Sequence, residues 1–69
     1  MERENQEKQK IGLGDLVRIR ERESEFSGKI GVVLDGYEDD DGFHMYELLI
    51  GGETEWFHDI VLEAMLENR

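Results

Sequence analysis

Tyr46-Glu47-Leu48-Leu49-Ile50-Gly51-Gly52-Glu53-Thr54-Glu55-Trp56-Phe57 is the stretch that decides the fold. From Phe43 to Ile50 the chain reads as a strand, with His44, Tyr46, Leu48 and Ile50 in one register. Gly51 and Gly52 follow, and both can adopt the positive φ that a two-residue hairpin turn demands. Glu53 to Phe57 then returns as a second strand. Successive side chains on a strand point to opposite faces, so Trp56 and Phe57 divide between core and surface.

Working outward, Leu16-Val17-Arg18-Ile19-Arg20 alternates apolar and basic residues, as a strand with one wet side does. Glu21 to Ser27 is polar apart from Phe26 and reads as a loop. Lys29 to Leu34 is an apolar strand, with Ile30, Val32 and Leu34 expected on its inner face. Gly31 inside it predicts a bulge or a bend where another backbone comes close. Asp35 to Gly42 is acidic, bounded by glycine, and reads as a turn region. Beyond the hairpin, His58-Asp59-Ile60 has the look of a short 3₁₀ turn, and Val61 to Leu66 of a short strand or helical turn. No long helical period precedes it. The expectation is therefore an all-β fold, a small barrel of about five short strands with a 3₁₀ turn before the last. Its expected core is Val17, Ile19, Ile30, Val32, Leu48 and Ile50. Residues 1–11 read as a polar tail and residues 12–69 as the domain.

The order of these segments resembles a known pattern. Gly14-Asp15-Leu16-Val17 opens it, Gly28-Lys29-Ile30-Gly31-Val32-Val33 follows, and the hairpin, the 3₁₀ turn and Leu62-Glu63 close it. The chain is thereby similar to SH3-like barrels of the KOW and PsaE type, and most of all to small phage-encoded proteins of unassigned role. The resemblance covers roughly residues 12–64. It implies a fold and says little about function. KOW modules that bind RNA carry basic residues around the second strand and its loops. Here that strand holds only Lys29, and the loop after it is Glu38-Asp39-Asp40-Asp41. Peptide-binding SH3 domains carry an A-L-Y-D-Y run that this chain lacks, so polyproline binding does not follow.

Charge narrows the partners. The net charge is −10, and all of it lies in the second half. Residues 1–30 hold seven basic and seven acidic groups, and residues 31–69 hold eleven acidic groups and Arg69. Such a surface repels nucleic-acid phosphates and anionic lipid and attracts basic protein. No signal-peptide h-region or apolar run of membrane-spanning length is present in the sequence. With no cysteine, disulfides and thiolate sites are excluded, which fits a cytoplasmic setting, the host cytoplasm or a virion if the protein is phage-encoded. A core of this size rarely supplies more than roughly 3–5 kcal/mol of stability.

Chemistry is sparse. Setting Gly42 at position 6 of an EF-hand loop puts Tyr37 at position 1 and Leu48 at position 12, and neither can ligate calcium there. His44 and His58 are too few for zinc without several carboxylates. No Ser or Thr sits in a recognisable motif with a histidine, there is no G-K-[ST] phosphate loop, and a barrel this small is expected to lack a pocket of ~300 Å³. The sequence thus points to a non-enzymatic protein with no catalytic residues, cofactor or metal. The expected function is an acidic protein-binding module, an accessory or structural part of a larger assembly, with a basic-surfaced protein partner. Trp56 or Phe57 would be its apolar anchor and Glu53, Glu55 and Asp59 its charged rim. The alternatives are an acidic mimic of nucleic acid that inhibits a host enzyme, and a KOW-like RNA binder.

Overall fold

The computed structural model describes residues 11–65. The polar stretch 1–10 and the last four residues lie outside that range.

Five strands and one 3₁₀ turn follow one another: β1 (Leu16–Ile19), β2 (Ile30–Glu38), β3 (His44–Ile50), β4 (Glu53–His58), the 3₁₀ turn Asp59–Val61, and β5 (Leu62–Ala64). They form one antiparallel sheet in the order β4-β3-β2-β1-β5. The all-β expectation holds, including the 3₁₀ turn ahead of the last strand. The chain runs β1 to β4 as a meander, and β5 returns to pair with β1, placing Val17 opposite Ala64 and Ile19 opposite Leu62. The turn is what permits the return. At its C-terminal end the Val61 carbonyl accepts a 2.7 Å hydrogen bond from the Arg20 backbone N–H, holding the crossing chain against the end of β1.

The core draws at least one side chain from every strand: Val17 and Ile19, Val33, Leu48 and Ile50, Phe57 and Leu62. Phe26 joins them from the loop and sets its ring edge-on to Phe57, with 6.2 Å between centroids. That a loop aromatic belongs to the core is a finding that strand periodicity does not reach. Ile11, the first described residue, packs against the same cluster.

Two expectations about β2 need correction. First, its inner face carries Gly31 and Val33, whereas Ile30 is 44% exposed and Val32 is only partly buried. The strand is apolar on both parities, so alternation alone could not choose. Gly31 chooses. A Cβ there would stand 2.9 Å from Ile50 Cγ1 and 3.1 Å from Leu48 Cβ. Only a residue without one lets those two side chains of β3 close over β2. Second, β2 does not end at Leu34 but continues to Glu38, through half of the acidic region read as a turn. The pairing with β3 shifts between Val33 and Asp35, so the bulge falls there and not at Gly31. Past the shift, Asp35, Gly36 and Tyr37 pair with Glu47, Tyr46 and Met45. The true turn is Asp40-Asp41-Gly42, and the Asp39 carboxylate accepts the Asp41 and Phe43 backbone N–H at 2.9 Å each. That carboxylate is spent on the loop's own backbone, as a side chain in an Asx turn is.

Candidate groove beside the edge strand

The β3–β4 hairpin sets the geometry of the site. Gly51 and Gly52 have φ of 58° and 92°, the left-handed pair of a type I′ turn, and Ile50 closes on Glu53. From that turn the register is fixed: Leu48 faces Glu55, Glu47 faces Trp56, Tyr46 faces Phe57 and Met45 faces His58. Phe57 therefore enters the core, 7% exposed, and Trp56 points to the other face of the sheet, 41% exposed. On that outer face the Tyr37 ring packs against Trp56 across β3, with 5.3 Å between centroids. This contact gives the C-terminal half of β2 a reason to stay in the sheet.

A groove of about 680 Å³ runs between the loop that follows β1 and strand β4. Phe26 and Phe57 underlie it, and Trp56, Ile60 and Val61 add to its apolar lining. Three carboxylates stand around it: Glu21 and Glu25 from the loop and Glu55 from β4. Among the described residues, no Lys or Arg lines it. The loop is held in place by its own hydrogen bonds. Gly28 donates to the Ile19 carbonyl at 2.7 Å, the Phe26 N–H donates to Ser24 Oγ at 2.9 Å, and Ile19 donates to the Lys29 carbonyl at 2.9 Å. The volume exceeds what so small a fold was expected to offer, because the space is an open cleft between loop and strand and not an enclosed pocket.

The five residues singled out from sequence are distributed unevenly. Glu55, Trp56 and Phe57 line the groove. Glu53 lies at a second cleft of about 430 Å³, beside Lys29, Ile30 and Ile50. Position along the strand explains the separation: Glu53 shares the face of Glu55 and Phe57, opposite Trp56, but stands at the hairpin end of β4, paired with Ile50. Glu55 and Trp56 come together only because the groove opens on the strand's edge, where both parities can be reached. Asp59, at the start of the 3₁₀ turn, acts elsewhere. Burial pushes the Tyr46 phenol above its usual range, and the Asp59 charge adds to the rise. Sequence reasoning missed Glu21, Glu25, Phe26 and Ile60; a lone aromatic in a polar loop was the one signal available for Phe26.

His58 also lines the groove, and its Nδ1 is buried without a hydrogen-bond partner among the described residues. The Phe43 ring meets the imidazole edge-on at 5.4 Å between centroids. Among the described residues, no three His, Asp or Glu side chains gather as a metal ion would need. Nor, among them, is any helix long and apolar enough to cross a membrane. No protein-family model matches the chain, and neither does any curated protein or solved structure.

Proposed function

We propose that this chain is a non-enzymatic protein-binding module, built on an SH3-like barrel, that takes a basic segment of another protein into the groove beside β4. The observation that carries the reading is the make-up of that groove: an apolar floor, three carboxylates and, among the described residues, no Lys or Arg. An aromatic anchor beside an acidic rim suits a partner that offers lysine or arginine next to an apolar residue. Trp56 is the anchor, because Phe57 is committed to the core. Such anchors cost about 2 kcal/mol or more of binding when truncated, and the rim charges act mainly on association rate and salt dependence. With its charge and its resemblance to phage-encoded barrels, the module fits an accessory place in a larger assembly.

The test compares two alanine variants for capture of a lysine-rich amphipathic peptide. Trp56→Ala should lose capture and keep its melting temperature within a few degrees. Phe57→Ala should lose about 3–5 kcal/mol of stability, comparable to everything a core of this size supplies, and unfold. Equal capture by wild type and Trp56→Ala would remove the anchor from the reading. The rivals separate in the same assay: a nucleic-acid mimic competes with DNA or RNA for its target, and an RNA binder holds RNA at physiological salt.

A further inference from the structure

The groove runs along the free edge of the sheet, and the hairpin determines which backbone groups face it. β4 is the terminal strand in the order β4-β3-β2-β1-β5. In a two-residue hairpin the closing pair exchanges both backbone hydrogen bonds, and every second pair after it does the same. Here the closing pair is Ile50 with Glu53. Glu53, Glu55 and Phe57 therefore spend their N–H and C=O on β3, and Thr54, Trp56 and His58 turn theirs outward. Among the described residues, no hydrogen bond from another segment reaches the backbone of those three. The sheet's other edge, β5, is three residues long, whereas β4 has six.

We infer that β4 is a strand-addition site, on which an extended basic peptide pairs with the outward N–H and C=O groups of Thr54, Trp56 and His58. The inference rests on the groove reading above and specifies how the partner is held. Main-chain bonds would supply the affinity and alternate side chains the choice of partner. The peptide's residues of one parity meet Glu55, with Glu21 and Glu25 across the groove, and must be basic. Residues of the other parity lie against the face that carries Trp56 and Tyr37 and must be apolar. A second copy of this chain is the wrong occupant. Pairing two β4 edges would set Glu53 and Glu55 of both copies side by side, and like charges on neighbouring strands repel. Acidic side chains on an edge strand prevent self-association and leave the edge open to a strand of opposite charge.

The experiment uses the full chain and a short peptide alternating lysine and valine, with two further versions N-methylated at alternate residues in either phase. N-methylation removes a backbone donor and leaves the side chains in place. One phase should weaken binding about tenfold or more, because it removes the donors that face β4, and the other should be tolerated. Bound peptide should also slow amide hydrogen exchange at Thr54, Trp56 and His58, with Glu55 and Phe57 already protected without it. If the parent peptide binds in a Trp56-dependent way but neither phase matters and those amides stay fast, strand addition is wrong and the groove reading stands. If the parent fails to bind even at low salt, both are wrong. Sedimentation as a dimer, with the three amides protected in the absence of peptide, would assign the edge to self-pairing and overturn the proposal.

Discussion

Gly31 does more to fix this fold than any apolar residue near it. The run Ile30-Gly31-Val32-Val33-Leu34 could bury either parity, and its β-branched side chains argue equally for both. The deciding fact is a missing methyl group, because Ile50 and Leu48 occupy the space a Cβ would take. Gly31→Val should therefore destabilise by about 1–3 kcal/mol, the range for overpacking a filled core. A urea titration with an unchanged slope and a lowered midpoint would register it. A midpoint equal to wild type would mean that β3 yields and that the glycine is not what selects the register. Alternation in the sequence was enough to place Val17, Ile19, Leu48 and Ile50 in the core and to divide Trp56 from Phe57. It could not place Ile30 and Val32, since a pattern with two apolar faces contains no vote. Phe26 was invisible for a different reason: its burial depends on how a loop folds back, and loops carry no period.

At the scale of elements, the β3–β4 hairpin was fully legible and β2 was not. Two adjacent glycines between alternating strands state their own turn type, and the observed φ values agree. A test follows from the asymmetry of substitutions in a type I′ turn. Gly51→Asn should be nearly neutral, since asparagine tolerates the left-handed region. Gly52→Val, at φ 92°, should cost about 1–3 kcal/mol, as left-handed backbone does for a branched residue. Thermal melts of the two variants side by side would check this, and equal losses would count against the assigned turn. β2 defeated composition because Asp35-Gly36 has the chemistry of a turn and the position of a strand. What carries the chain through is tertiary. The register shift after Val33 brings Asp35 level with Glu47, Gly36 lies beneath the Tyr46 ring, and Tyr37 reaches Trp56. The same reasons made the groove half legible. Its β4 side could be read from the hairpin, and its loop side, with Glu21 and Glu25, had to wait for the fold.

For the whole molecule, Tyr46 ties stability to alkaline pH. Its folded pKa lies above the ordinary value of 10.0, chiefly because burial disfavours the phenolate. The unfolded chain therefore releases that proton first as pH rises. The sign is unambiguous: the contribution is fully present below pH 10.0 and is lost as pH climbs from there through the folded value. A wild-type melting temperature that falls in this window, set against a Tyr46→Phe variant that falls less, is the expected result. A pH profile identical in both would assign the loss to other groups. The pairing of β5 with β1 has a consequence of another kind. Val17 lies opposite Ala64, so the chain enters the sheet and leaves it at the same end of one antiparallel pair. Tension applied through the two ends of the folded region would meet those hydrogen bonds one after another and not all together. The pair would open like a zipper, starting beside Leu16, where Met65 donates to its carbonyl at 3.1 Å. In single-molecule pulling the domain should give way at low force when held by its ends. Held between β1 and the hairpin tip at Gly51, it should resist more strongly.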